Sequence, residues 1–127
     1  MTFESLQVKP EVIKALKEQG IVEPTVIQQK TIPAVHEGKD VVGISRTGSG
    51  KTAAFGIPLI ELMHKGKGVQ GLILAPTREL ANQIGNELKS WSKYLDIKTA
   101  IVFGGVGLDP QLFAMRESEI VVGTPGR

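Results

Sequence analysis

Asp40-Val-Val-Gly-Ile-Ser-Arg-Thr-Gly-Ser-Gly-Lys-Thr52 is the stretch whose reading decides the fold. Val41 to Ile44 are short apolar residues that read as a buried strand, and the pattern from Thr52 onward reads as a helix. Strand, Gly-rich loop and helix in that order give a phosphate-binding loop its meaning. Backbone N–H groups of such a loop point inward and the helix adds its positive end, so a polyphosphate is cradled without any side chain. Gly48 and Gly50 permit backbone conformations and a close approach that a Cβ would obstruct. Lys51 would reach the β- and γ-phosphates, and the Thr52 hydroxyl would hold Mg²⁺. Ser45 stands where the G-x-x-x-x-G-K-[ST] pattern has its first Gly, and a small residue there still makes the turn. The competing reading is a surface turn with a chance Gly-Lys-Thr, which the flanking strand and helix patterns disfavour.

Composition narrows the setting. The 127 residues fit one domain at most, and a 41% hydrophobic content supports a real core. There is no cysteine, which excludes disulfides and thiolate metal sites and is compatible with an intracellular protein. Fifteen Lys+Arg against thirteen Asp+Glu give a net +2, too mild to announce nucleic acid by itself. Met-Thr-Phe-Glu-Ser-Leu lacks the basic and apolar regions of a signal peptide, and no apolar run has bilayer length. These features predict a soluble, cytoplasmic protein with no membrane contact.

Working outward from the loop, Val12, Ile13 and Leu16 recur at helical spacing between Lys9 and Gln19, with Pro10 suited to the first turn. Thr25 and Gln28 have capping-box spacing ahead of a helix running to about His36, with Pro33 inside it. On the residues alone Gln28 returns to the cap of its own helix, and Phe3 is a core anchor. After the loop, a helix from Thr52 to about Met63 places Phe55, Leu59 and Met63 on one face. Gly71 to Ala75 reads as a strand buried on both faces. Leu80, Ile84, Leu88 and Trp91 mark the core stripe of a helix from Thr77 to about Tyr94. Lys98–Phe103 and Glu119–Val122 are further strands, separated by a short helix from Asp109 to Met115 with Asp109 as N-cap and Pro110 following. Alternating strands and helices predict an α/β fold, a parallel sheet with helices on both faces. Ligands of such sheets gather at the carboxyl ends of the strands. There the stretches Ser45–Thr52, Pro76–Ala81, Gly104–Gly107 and Gly123–Arg127 would form one functional edge.

Taken together these stretches resemble the first RecA-like domain of DEAD-box ATP-dependent RNA helicases over the whole chain. Residues 1–36 correspond to the Q-motif region and 37–127 to the P-loop core up to motif Ib. Gly20…Pro24-Thr25…Ile27-Gln28 is similar to the Q motif, with Phe3 as its upstream aromatic. Thr47-Gly-Ser-Gly-Lys-Thr52 is similar to motif I, Pro76-Thr-Arg-Glu-Leu-Ala81 to motif Ia, Gly104-Gly105 to the GG pair and Thr124-Pro-Gly-Arg127 to motif Ib. Gln111, six residues after Gly105, also falls where the family has it. Each motif alone is weak to moderate; their shared order and spacing are specific.

The resemblance implies a RecA-like P-loop NTPase fold that uses ATP and Mg²⁺ and acts on RNA. It assigns Phe3 and Gln28 to adenine, and Thr47, Gly48, Ser49, Gly50, Lys51 and Thr52 to the phosphates. Lys51 and Thr52 are the implied catalytic groups, with Thr52 on the metal. Pro76, Thr77, Arg78, Gly104, Gly105, Thr124 and Arg127 go to the RNA backbone. Two positions depart from the family's habit: Ile21, where an aromatic is more usual, and Ser45, where Ala is. No Asp-Glu-Ala-Asp and no Ser-Ala-Thr occurs, so the chain looks like a fragment cut before its catalytic carboxylates, its partner being the remainder of the helicase core. The expectation is therefore an incomplete sheet with the Val41–Ile44 strand unneighboured on one side, and no ATP turnover by this chain alone. A small-molecule P-loop enzyme would not need Pro-Thr-Arg-Glu-Leu-Ala or Thr-Pro-Gly-Arg. A stand-alone nucleotide- or RNA-binding module without hydrolysis is the other alternative.

Overall fold

Pro10 opens the first helix, where its missing N–H is no loss and its fixed φ suits the turn. The computed structural model describes residues 1–127 and divides them into two units, 1–62 and 63–127. In the first unit α1 spans Pro10–Glu18, α2 Val26–His36 and α3 Lys51–Leu62. Helix α1 buries Val12, Ile13, Ala15 and Leu16, the stripe its spacing predicts. Helices α2 and α3 pack against each other. They run side by side in the same direction, because Gln28 reaches Gly50 at their starts while His36 Nε2 meets Glu61 Oε1 at 2.7 Å near their ends. The Glu61 side chain is only 4% exposed. Its second oxygen accepts the backbone N–H of Lys9 at 2.5 Å, so one carboxylate ties the entry to α1 to both other helices.

Two expectations for this unit are corrected. Val41–Ile44 is not a strand: it enters no ladder, and Val42 and Ile44 are 89% and 88% exposed. An apolar run becomes a strand only when other backbone takes up its N–H and C=O groups, and this run pairs with none of the strands that form. On α3 the buried residues are Ala53, Ala54, Gly56, Ile57, Pro58 and Ile60, whereas Phe55 is 37% exposed. Nearly every residue of this helix is apolar, so the spacing of the large ones did not select its buried face.

The second unit comprises β1 (Gly71–Leu74), α4 (Arg78–Trp91), β2 (Thr99–Val102), α5 (Leu108–Arg116) and β3 (Ile120–Gly123). The three strands are parallel in the order β1-β3-β2, with Ile120 level with both Gly71 and Thr99. Successive side chains of a strand point to opposite faces. On β2, Ile101 meets α4 beneath Gly85, while Ala100 and Val102 pack with Ala114 and Met115 of α5. Helices therefore cover both faces, as expected of this fold. Central β3 is buried throughout. Strand β1 is not buried on both faces as its composition suggested: Leu72 and Leu74 are 66% and 61% exposed at the sheet's edge. The N-cap of helix α5 lies two residues earlier than expected, at Gly107 with no side-chain cap; Asp109 lies inside the first turn, where its charge suits the helix dipole.

Buried Glu119 was not anticipated. Its carboxylate accepts N–H groups from Gly66 at 3.2 Å and Lys98 at 2.9 Å, joining the turn before β1 to the entry of β2. The Thr99 hydroxyl, at the start of β2, is buried without a partner.

Candidate functional site

In the first unit the loop preceding α3 is shaped by two glycines in left-handed conformations, Gly48 at φ 82° and Gly50 at φ 87°. Lys51 and Thr52 are the first residues of α3, so the lysine and the hydroxyl sit at the helix's positive end. The Lys51 ammonium crosses the loop and donates to the Ser45 carbonyl at 2.8 Å. Ser45 and Ser49 hydroxyls share a hydrogen bond of 2.5 Å, which links the serine at the first-Gly position to the loop's far side. Thr47 is exposed, and Ser49 and Thr52 are half-buried.

Gln28 joins this loop to α2. The capping box read from the sequence is formed: Thr25 Oγ1 accepts from the Gln28 N–H at 3.4 Å, and Gln28 Oε1 accepts from the Thr25 N–H at 3.0 Å. The side-chain Nε2 also donates to the Gly50 carbonyl at 3.2 Å, and the residue is 3% exposed. An amide serves both ends because it carries donor and acceptor together. A Cβ on Gly50 would lie 2.4 Å from that Nε2, so Gly50 is required by its neighbour as well as by its φ. Capping was legible in Thr25-x-x-Gln28; the contact with Gly50, twenty-two residues on, left no local signal. Phe3 is 1% exposed and belongs to the unit's buried core, the anchor role its residue type suggests.

In the second unit the stretches after the parallel strands share the sheet's carboxyl edge: Pro76–Arg78 beyond β1, Gly104–Gly105 beyond β2 and Thr124–Arg127 beyond β3. Thr77 caps α4, its Oγ1 accepting from Leu80 N–H at 3.2 Å. Arg78 begins that helix and lays its guanidinium over the Phe103 ring, 4.4 Å from the centroid. Gly105 turns at φ 84°, and a Cβ there would stand 3.8 Å from Arg78 Nη1. Thr124 continues the ladder, donating its N–H to Val102 O at 3.2 Å. Arg127 donates to Val106 O at 3.2 Å and to Gln111 Oε1 at 3.4 Å. Pro76, Thr77, Arg78, Gly105 and Arg127 are exposed; Gly104 and Thr124 are half-buried. The structure thus gathers all seven residues expected of a backbone-gripping surface on one edge. Phe103 was missed, although an aromatic immediately before a Gly pair at a strand end was a usable signal.

The DEAD/DEAH box helicase family model matches residues 25–127. A probable ATP-dependent RNA helicase of Methanocaldococcus jannaschii is 43% identical over the whole of this chain, which covers 35% of its length. Among solved structures, a DEAD box protein from the hyperthermophile Methanococcus jannaschii superposes with a TM-score of 0.95 at 43% identity, covering 100% of this chain and 35% of that one. A hypothetical ATP-dependent RNA helicase from Sulfolobus tokodaii superposes with a TM-score of 0.83 at 42% identity, over 92% of this chain and 34% of its own. The chain therefore spans about a third of the length of the relatives it matches.

Proposed function

This chain belongs to the DEAD/DEAH box helicase family, and from that premise we propose that it supplies the adenine-nucleotide cradle and part of the RNA grip of an ATP-dependent RNA helicase. The observation that carries the nucleotide half is the Gln28–Gly50 hydrogen bond, which fastens the Q-type glutamine to the phosphate loop. Beyond its bonds to Thr25 and Gly50, the Gln28 amide keeps one N–H and one lone pair. That pair complements adenine, which offers an amino donor beside a ring-nitrogen acceptor, and does not complement guanine, whose corresponding edge has two acceptors. Lys51 and the α3 N-terminus favour the phosphates. For Mg²⁺ the chain offers the Thr52 hydroxyl and no cluster of three acidic or His ligands. That fits an ion which keeps its waters and takes phosphate oxygens as its other ligands. When bound, the ion would neutralise phosphate charge.

The RNA half rests on exposed Arg78 and Arg127 standing with Thr77 and Gly105 on one sheet edge. Phosphate contacts from such groups hold the backbone and carry no sequence information. Hydrolysis also needs groups that orient water and hold the metal with Thr52, and we assign these to residues outside this sequence. The test uses the full-length protein. ATP should bind more tightly than GTP, with Gln28→Ala erasing the preference and Lys51→Ala abolishing RNA-stimulated phosphate release. Equal affinity of the unmutated protein for the two nucleotides would refute the adenine reading.

A further inference from the structure

The one buried residue of α5 is polar. Gln111 is 8% exposed, and an amide out of water is tolerated only when its donor and acceptor are both engaged. Its Nε2 donates to Phe103 O at 3.0 Å, and its Oε1 accepts from Arg127 Nη1 at 3.4 Å. Only this amide orientation satisfies a carbonyl on one side and a guanidinium on the other. The bond to Phe103 fixes the amide against the end of β2, and the fixed amide then presents its oxygen to the loop that follows β3. Arg127 completes the brace with its other terminal nitrogen on Val106 O at 3.2 Å.

We propose that Gln111 is a positioning residue of the RNA-gripping edge: through the Phe103 carbonyl it anchors itself, and through its own oxygen it aims the Arg127 guanidinium at RNA phosphate without cancelling its charge. The proposal rests on the RNA reading above. A guanidinium carries five N–H donors, so bonds to Gln111 and Val106 leave others for a phosphate. A carboxylate in the same place would hold Arg127 more firmly, but it would neutralise the charge the phosphate needs and set an acceptor against Phe103 O. The amide alone meets both requirements.

The experiment is a double-mutant cycle in the full-length protein, read as binding of a ten-nucleotide oligouridylate across a salt series. Near-UV CD and melting confirm that each variant is folded. Arg127→Ala reports on the RNA reading by itself and should weaken binding about tenfold. Gln111→Met, of similar length but without either hydrogen bond, should weaken it about fivefold in the wild-type background and less than about twofold when Arg127 is already Ala. Gln111→Glu keeps an acceptor for Arg127, and it should lower the salt slope by about 0.7, the share of one phosphate contact on a single strand. Equal losses from Gln111→Met in both backgrounds, or an unchanged slope in Gln111→Glu, would overturn the positioning role and leave the RNA reading standing. No effect of Arg127→Ala on oligouridylate binding would overturn the RNA reading at this edge, and the proposal with it.

Discussion

Gly50→Ala separates two demands that the phosphate loop places on one residue. The first is conformational: at φ 87° an L-residue lies in the left-handed region, at a cost of about 1–2 kcal/mol. The second is steric, because the new Cβ would stand 2.4 Å from Gln28 Nε2 and 3.1 Å from Thr25 Oγ1. Relieving that contact breaks the Gln28–Gly50 bond, about 1 kcal/mol, and loosens the capping box, about another 1 kcal/mol. The expected total is about 3–4 kcal/mol. Gly48→Ala, at φ 82° with nothing within 4 Å of its Cβ, should cost only the conformational ~1–2 kcal/mol. Hydrogen exchange of the Gln28 and Ala54 amides, at the starts of α2 and α3, reads the local free energy directly. In a Gln28→Ala background Gly50→Ala should fall to the cost of Gly48→Ala. Equal losses for the two glycines in the native background, or an undiminished Gly50→Ala penalty without Gln28, would refute the coupling.

Two further substitutions test the second unit. Thr99→Val removes a buried hydroxyl that has no partner, and urea titration should show about 1 kcal/mol of added stability; a loss would mean the hydroxyl is satisfied. Gly85→Ala would bring a Cβ to 2.3 Å from Ile101 Cγ1 where α4 meets β2. It should cost about 1–3 kcal/mol by overpacking and become neutral or favourable when Ile101 is already Ala, so an equal cost in both backgrounds would contradict the packing.

The elements legible in the sequence were those whose cause is local. Thr25-x-x-Gln28 predicts its capping box, Pro10 its helix start, and the bounded run Gly71–Ala75 its strand, because each signal lies within a few residues of its effect. The phosphate loop was legible for the same reason: Gly48 and Gly50 announce left-handed backbone, and both are found there. What escaped depends on residues far apart. Val41–Ile44 has strand composition, yet pairing is decided by which backbone the fold brings to it, and it enters no ladder. Glu119 looks like a strand-edge charge until Gly66 and Lys98 are brought to it by the fold. Phe103 gains meaning only when Arg78, from another element, lies across its ring. The expected roles of Arg78 and Arg127 came from the family resemblance; that both stand on one edge comes from the strands' parallel pairing.

The strand order carries a consequence for biosynthesis. β3 leaves the ribosome after β1 and β2, yet it lies between them, and β1 and β2 share no hydrogen bonds with each other. During translation β1 and β2 are therefore both without a ladder partner for as long as residues 103–119 are being added, about one to a few seconds at ordinary elongation rates. Throughout that interval Ile73, Ala100 and Val102 are unprotected apolar side chains on unpaired backbone. The nascent chain is then most open to mispairing and to capture by a holding chaperone. A pause in translation before residues 120–123 have left the ribosome would lengthen that exposure, whereas a later one would not.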